Sequence, residues 1–195
     1  MPSFINTAMN LRPIDATNDL FRVSDLYPID LVKSIMTTPW LDMPYSKEEK
    51  QETWLRRKID VSQTHWYNDF ENYSEKLWIE LSKKLEIPLH KYQGTAWWLD
   101  EPGFTCGIHT DGELPGALQT YWIGDRDLGT SFYYYRDLST LRYKFPFEPN
   151  TGYLMLNNID DNGYRHLQWH AMPEYVSNHF FRLTSYSLVK IHKSS

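Results

Sequence analysis

A change in hydrophobic periodicity near Ile87-Pro88 constrains the fold of this chain more than any other feature. Before it, apolar residues recur every three or four positions, as in amphipathic helices. After it they alternate with polar residues, as in half-buried strands. Chains whose helices precede their strands in this way are typical of α+β domains. The 195 residues are therefore predicted to form a single domain, with mainly helical support in residues 1–90 and a β-rich core in residues 91–191.

Three segments of the first part carry helix signals. Pro28 precedes an apolar repeat from Ile29 to Met36, and residues 69–85 repeat leucine and aromatic side chains at helical spacing. Ser46-Lys47-Glu48-Glu49 has the pattern of a capping box, in which the serine hydroxyl and the last carboxylate satisfy free backbone N–H groups. This pattern predicts a further helix, from Ser46 to about Lys58.

Seven short segments of the second part are predicted strands, because β-branched and aromatic residues cluster there between Gly, Pro, Asn and Asp turns. They are Tyr92–Trp98, Phe104–His109, Ala117–Ile123, Thr130–Tyr135, Gly152–Asn157, Leu167–Met172 and Phe181–Lys190. Short, regularly spaced strands are typical of sandwiches and barrels. The predicted fold class is α+β, with a double-stranded β-helix (a jelly roll of the cupin type) and N-terminal supporting helices.

Composition and charge exclude several classes of protein. The chain is 41% hydrophobic and 23% charged, which is ordinary for a globular domain. A net charge of -5, with basic residues scattered, argues against polymeric nucleic acid as a partner. The single cysteine, Cys106, cannot close an internal disulfide, and no segment is long and apolar enough for a membrane span. These features predict a cytoplasmic protein without membrane association.

His109-Thr110-Asp111 is the first candidate metal-binding motif. Residues two apart on a strand point to the same side, so one metal ion could accept an imidazole nitrogen and a carboxylate oxygen from it. The tripeptide alone is weakly specific, and a polar turn is the alternative. A facial triad needs a second histidine from a distant strand. We favour His170, inside the penultimate predicted strand, over His166, which follows a turn.

Arg182 and Thr184 form the second candidate site. They share one face of the last predicted strand, where a guanidinium and a hydroxyl could hold a carboxylate. A surface ion pair of little energetic value is the alternative interpretation of such an arginine. Aromatic residues make up 16% of the chain, and tryptophans lie on the neighbouring strands, where they could line a pocket or fill the core.

The order of these motifs resembles the Fe(II)- and 2-oxoglutarate-dependent dioxygenase superfamily. His-x-Asp is followed by a Gly-Thr-x-Phe-Tyr strand that starts at Gly129 and a Gly-x-Leu-x-Leu strand that starts at Gly152. His170 and an Arg-x-Thr motif come next. The resemblance covers roughly Tyr92 to Val189, and the preceding helices are similar to the support that this superfamily commonly has.

The resemblance implies a role for each candidate residue. The iron ligands would be His109, Asp111 and His170. Arg182 would bind the distal carboxylate of 2-oxoglutarate, with Thr184 beside it and Tyr121 on the strand after His-x-Asp. The implied reaction is hydroxylation or oxidative demethylation of a small molecule or of an amino-acid or protein side chain. It consumes O2, releases succinate and CO2, and has ascorbate as a stimulant.

Two other interpretations stay open at this point. A non-catalytic jelly-roll module would use its aromatic side chains to bind a sugar or a peptide, and another metal-cupin enzyme, such as an isomerase, would not need Arg182. Only the oxygenase requires both Fe(II) and succinate formation. The sequence predicts neither the identity of the substrate nor the oligomeric state.

Overall fold

Two antiparallel sheets form the body of the protein, in a computed structural model that describes residues 9–45, 55–91, 94–112, 115–159, 165–173, 176 and 181–191. The strands are β1 Asn10–Pro13, β2 Leu20–Ser24, β3 Arg56–Ile59, β4 Leu89–Lys91, β5 Ala96–Asp100, β6 Cys106–His109, β7 Gly116–Ile123, β8 Ser131–Tyr133, β9 Leu141–Lys144, β10 Thr151–Leu156, β11 Asn158–Ile159, β12 Arg165–His166, β13 Trp169–Met172 and β14 Arg182–Ile191. The helices are α1 Ile29–Met36 and α2 Tyr67–Leu85.

The larger sheet has eight strands in the order β1-β2-β10-β7-β14-β5-β3, with β4 also paired to β14. The smaller sheet has four strands in the order β6-β13-β8-β9, and β11 and β12 form a separate ribbon. Neighbours in these sheets are mostly distant in sequence, as the crossing connections of a jelly roll require. The predicted class, a double-stranded β-helix with helical support, is confirmed.

The helices pack on the outer face of the larger sheet. Leu31 and Ile35 of α1 and Phe70 of α2 are buried in one hydrophobic cluster with Trp97 and Leu99 of β5. Side chains alternate along a strand, so Trp98 and Asp100 of β5 face the other way, towards the smaller sheet. Burying each large apolar side chain contributes about 1.5–3 kcal/mol, so this outer cluster holds the helices in place. No helix in the described ranges is long and apolar enough to span a membrane.

Two glycines of the sequence motifs are required by close backbone approaches. A Cβ atom at Gly152 would lie 1.8 Å from the carbonyl oxygen of Gln119 in the adjacent strand β7. A Cβ atom at Gly129 would lie 1.7 Å from the carbonyl oxygen of Phe145. Any other residue would force the adjacent backbones apart, so each glycine permits a close backbone approach within its own sheet.

Both periodic helices and all seven predicted strands are present, with boundaries moved by a few residues. Residues 92 and 93 of the first predicted strand lie outside the described residues. The predicted helix ending near Lys58 is wrong at its C-terminal end, because Arg56–Ile59 is strand β3, paired with β5. Sheet pairing with a strand distant in sequence outweighs the local capping signal there. Residues 46–54 of that prediction lie outside the described residues. Strands β1 and β2 also join the larger sheet, so the N-terminal part supplies strands as well as helices.

Candidate metal centre and its cavity

Three potential metal ligands meet where β6 and β13 pair. His109 ends β6, Asp111 follows two residues later, and His170 lies directly opposite His109 in the antiparallel register. The two imidazole rings have centroids 4.4 Å apart. One ligand atom from each of the three residues lies within 4.8 Å of the others. His166, the alternative considered from the sequence, lies on β12 in the separate ribbon.

Backbone carbonyls orient both histidines. Nδ1 of His109 lies 2.8 Å from the carbonyl oxygen of Gly107, and Nδ1 of His170 lies 2.9 Å from that of Gln168. A carbonyl only accepts, so each Nδ1 carries a hydrogen and each Nε2 is left for another partner. The Nε2 atoms of His109 and His170 lie 3.7 and 3.5 Å from Oδ1 of Asp111. Two imidazole nitrogens and one carboxylate oxygen suit a divalent transition metal with open positions.

The hydrogen bond between Nδ1 of His109 and Sγ of Cys106 (3.5 Å), together with that to Gly107, raises the pKa of His109 to about 9. At neutral pH this shift favours the doubly protonated ring in the free protein, with the second proton on Nε2. An incoming metal ion has to displace it from Nε2.

Asp111 is held as a carboxylate by its neighbours. Burial raises its pKa, but the hydrogen bonds and charge contributed by His170, together with the hydrogen bond from the Tyr186 hydroxyl, outweigh burial and lower the pKa to about 2. Tyr186 donates to Oδ2, so Oδ1 is the oxygen that faces the histidines. Burial and the charge of Asp111 raise the pKa of Tyr186 well above its usual value, so its hydroxyl remains a donor.

A cavity of about 270 Å³ adjoins the three ligands and lies between the two sheets. Its walls combine aromatic and polar side chains. Besides the ligands they include Arg56, Trp98, Gln119, Thr130, Tyr153, Arg182 and Tyr186. The cluster therefore opens into a partly enclosed space where part of a ligand could lie beside it.

Three charged residues lie side by side across three adjacent strands, and we call them the charge row: Arg56 of β3, Asp100 of β5 and Arg182 of β14. Asp100 is fully buried. It accepts hydrogen bonds from Nε and Nη2 of Arg56 at 2.5 and 3.1 Å and from Nη1 of Arg182 at 2.7 Å. Two guanidinium groups share one carboxylate, so the row carries a net positive charge.

Arg182 has an unsatisfied edge. It is 1% exposed, its Nε has no hydrogen-bond partner within the described ranges, and its Nη2 reaches only Oγ1 of Thr130, at 3.5 Å. A buried N–H group without a partner is costly, and beside a cavity it indicates that a ligand acceptor belongs there. A carboxylate fits this edge, because Nε and Nη2 present two parallel donors.

The other two residues predicted to bind the cosubstrate are buried but do not line the cavity as the structure describes it. The Tyr121 hydroxyl accepts a hydrogen bond from the backbone N–H of Thr130 at 3.0 Å, and its ring stacks on Phe147. Thr184 is fully buried, and its hydroxyl has no partner in the described part of the chain. Their contacts with a cosubstrate stay a prediction.

Four residues of the site were not predicted from the sequence: Arg56, Asp100, Tyr153 and Tyr186. Tyr186 had a usable signal, since it lies four residues after Arg182 on the same face of β14. Tyr153 alternates with the motif leucines of β10 and so faces the cavity. Arg56 and Asp100 meet only through sheet pairing, for which the sequence carries no local pattern.

Comparisons with known proteins give different results for the sequence and for the structure. No family model matches the sequence, and no curated protein matches it. Solved structures do match. A Pseudomonas putida prolyl-4-hydroxylase is 13% identical, with a TM-score of 0.59 over 90% of this chain and 94% of that one. HygX from Streptomyces hygroscopicus, with nickel and 2-oxoglutarate bound, is 10% identical, with a TM-score of 0.59 over 88% and 82%.

A viral collagen prolyl hydroxylase from Paramecium Bursaria Chlorella virus-1, in complex with 2-oxoglutarate, is 10% identical, with a TM-score of 0.57 over 88% of this chain and 95% of that one. The chain shares its fold with these three proteins. The fold expected from the order of the motifs is therefore confirmed. At these identities the likeness establishes the fold, and the chemistry has to be argued from the site.

Proposed function

We propose that this protein is an Fe(II)- and 2-oxoglutarate-dependent oxygenase. The observation that carries the proposal is that His109, Asp111 and His170 line the same cavity as Arg182, whose buried Nε has no hydrogen-bond partner among the described residues. A non-catalytic binding module needs neither the ligands nor the guanidinium, and another metal-cupin enzyme would need the ligands but has no use for a buried guanidinium with open donors. Neighbours of the same fold hold a metal and 2-oxoglutarate, which supports the proposal.

The three ligands would hold Fe(II) through Nε2 of each histidine and Oδ1 of Asp111. When bound, the iron and 2-oxoglutarate use O2 to oxidise a substrate C–H bond, with succinate and CO2 as products. The chain supplies orientation: the carbonyls of Gly107 and Gln168 fix the two rings, and Tyr186 fixes the carboxylate. Such outer partners keep the ligand atoms aimed at one point.

Arg182 would bind the distal carboxylate of 2-oxoglutarate through Nε and Nη2. The net positive charge of the charge row balances one carboxylate, and burial strengthens that attraction compared with water. Gln119, Thr130 and Tyr153 line the same part of the cavity, with a hydrogen bond of 2.9 Å from Oγ1 of Thr130 to Oε1 of Gln119. These groups support a polar pocket for the cosubstrate beside the ligands.

The prime substrate is proposed to be a small molecule or a single amino-acid or protein side chain, which is hydroxylated or oxidatively demethylated. A cavity of about 270 Å³ has room for a cosubstrate and only a small part of a substrate. The aromatic wall at Trp98 would exclude water from the reacting carbon. The net charge of -5 supports a partner other than polymeric nucleic acid. The cytoplasmic location inferred from the sequence belongs to the same proposal.

Succinate formation tests the proposal. The chain is incubated in air with Fe(II), ascorbate and 2-oxoglutarate, and succinate is followed by NMR, first alone and then with a library of small molecules and peptides. Slow succinate release without substrate is expected, with a rise for the true substrate. His170→Ala should abolish metal binding and succinate together, while His166→Ala should retain both. Absence of succinate under every condition would favour the non-catalytic binding module.

A further inference from the structure

The contacts within the charge row suggest a role for Arg56 that neither the sequence motifs nor the fold indicates. We propose that Arg56 is a positioning residue: by sharing the buried Asp100, it leaves the Nε–Nη2 edge of Arg182 free for the carboxylate of 2-oxoglutarate. The inference rests on the proposed function and concerns the cosubstrate affinity of the same site.

The hydrogen bonds of Asp100 are divided unequally between the two arginines. Arg56 satisfies both oxygens, through Nε on Oδ1 at 2.5 Å and Nη2 on Oδ2 at 3.1 Å. Arg182 contributes a single bond, from Nη1 to Oδ2 at 2.7 Å. Among the described residues, only Arg56 donates a hydrogen bond to Oδ1 of Asp100. Arg182 donates to Asp100 through a single nitrogen, Nη1.

Aromatic rings hold Arg56 in this position. Its guanidinium carbon lies 4.3 Å from the centre of the Phe104 ring and 5.5 Å from that of Trp98. Phe104 is buried, and the Arg56 side chain is 18% exposed. A planar cation against aromatic faces loses little further freedom when it forms paired bonds, so Arg56 is held ready to bind Asp100.

Removal of Arg56 would leave a fully buried carboxylate with one unpaired oxygen. Such a group costs far more than a lost surface ion pair, so the structure relaxes towards any donor within reach. Arg182 already contacts Asp100 and has an unsatisfied Nε. Turning this edge to Asp100 would pair the carboxylate and withdraw the donors from the cavity. Arg56 thus acts on 2-oxoglutarate through Arg182.

The test measures 2-oxoglutarate affinity by calorimetry on the whole chain loaded with Mn(II), which needs no turnover. Arg56→Gln should raise the dissociation constant by about tenfold or more, because Arg182 would turn to Asp100 and no longer donate its paired hydrogen bonds to the cosubstrate. Arg56→Lys keeps the charge but cannot bind both oxygens, so it should still weaken binding by at least about threefold. Arg56→Gln combined with Asp100→Asn removes the unpaired carboxylate and should recover most of the affinity.

Arg57→Gln is the matched control. Arg57 is the next residue of β3, points to the opposite face and pairs with Glu101, so its replacement should leave the affinity unchanged. Mn(II) stoichiometry and thermal unfolding are recorded for every variant. If Arg56→Gln does not fold, Arg56→Lys and the double variant carry the test.

The outcomes separate this inference from the proposed function. Wild-type affinity in Arg56→Lys, or a double variant no better than Arg56→Gln, would overturn the positioning role while leaving the oxygenase assignment intact. Failure of the unaltered protein to bind 2-oxoglutarate would overturn the proposed function, and the inference with it.

Discussion

Asp111 shows how a neighbouring side chain can orient a candidate metal ligand. Its Oδ2 accepts the Tyr186 hydroxyl, and its Oδ1 faces Nε2 of both histidines. Tyr186 comes from the larger sheet, whereas the histidines lie in the smaller one. The Tyr186 hydroxyl therefore fixes the plane of the Asp111 carboxylate, and Oδ1 is the oxygen that faces the candidate metal centre.

Tyr186→Phe keeps the ring and removes the donor, so Asp111 should rotate more freely and present its oxygen less well. We expect metal affinity to fall by about 10- to 100-fold, the usual effect of losing such an outer partner, with little change in the fold. Titration with Mn(II) measures it. Tyr135→Phe is the control, because Tyr135 is 70% exposed. Unchanged affinity in Tyr186→Phe would remove this tyrosine from the metal centre.

Arg182→Ala tests the other end of the cavity. Loss of one partner of a buried charged pair costs about 2–5 kcal/mol, or roughly 30- to several-thousand-fold in affinity. The 2-oxoglutarate dissociation constant should rise by this factor while metal stoichiometry stays near one per chain. Arg182→Lys should recover part of the loss, because it restores the charge without the planar pair of donors. Calorimetry in the absence of O2 decides: unaltered affinity in a folded Arg182→Ala protein would contradict the assigned carboxylate site.

At the scale of elements, a second buried arginine links the two sheets. Arg142 of β9 has a side chain that is 6% exposed, and it pairs with Asp15 and Asp19 from the loop between β1 and β2. Its Nη1 also donates to Oε1 of Gln168 at 2.8 Å. The carbonyl of Gln168 orients His170, so this network connects the N-terminal hairpin to a candidate metal ligand.

Arg142→Met should destabilise the fold by about 2 kcal/mol or more, because it leaves two partly buried carboxylates unpaired. The hydrogen bond from Arg142 holds the pKa of Asp15 well below its usual range, against a smaller opposing effect of burial. Because the pKa of Asp15 is lower in the folded state than in the unfolded state, its ionised carboxylate stabilises the fold at pH values above the unfolded-state pKa. This stabilisation is lost as the pH falls, so the destabilisation caused by Arg142→Met should shrink between pH 7 and pH 3.

Urea unfolding at both pH values measures the effect. Arg126→Met is the control: Arg126 is 77% exposed where it pairs with Glu148, and such pairs contribute about 0–1 kcal/mol. An equal loss of stability in the two variants would show that the Arg142 network is no stronger than a surface ion pair.

The elements also show which features are predictable from the sequence. His109 and Asp111 are two residues apart, and their shared direction follows from strand geometry alone. Asp100 lies 44 residues from Arg56 and 82 from Arg182, and only sheet order brings them together. The capping box at Ser46 predicted a helix across Arg56 for the same reason, since local signals contain no information about a distant partner strand. Hydrophobic periodicity therefore predicts the helices and strands, whereas the pairing of β3, β5 and β14 brings the residues of the charge row together.

At the scale of the whole molecule, the larger sheet packs against the helices on one face and lines the cavity on the other. Trp97 stacks between Trp40 and Trp122 on the helical side, with ring centroids 5.3 and 5.4 Å apart. Trp98, the next residue, lines the cavity. The high aromatic content, which the sequence left open between core and pocket, thus serves the outer core in large part, and a rigid sheet carries the site on its other face.

The candidate site joins the two sheets, so its ligands should stabilise the whole fold. Metal would be held mainly from the smaller sheet and 2-oxoglutarate from Arg182 in the larger one. A ligand that binds only the folded state stabilises it by about 2.7 kcal/mol at a concentration one hundred times its dissociation constant. For a chain of this size, each kcal/mol raises the midpoint of thermal unfolding by about 2–4 °C.

At that concentration Mn(II) alone should therefore raise the unfolding midpoint by about 5–10 °C, and Mn(II) with 2-oxoglutarate should raise it further, because the cosubstrate would bridge the metal and Arg182. Scanning calorimetry with neither, each and both ligands measures it. His170→Ala should lose the shift caused by Mn(II), and Arg182→Ala should keep that shift but lose the increment from 2-oxoglutarate. An increment that survives in Arg182→Ala would mean that the cosubstrate binds away from the charge row, since its distal carboxylate would then need no guanidinium from β14.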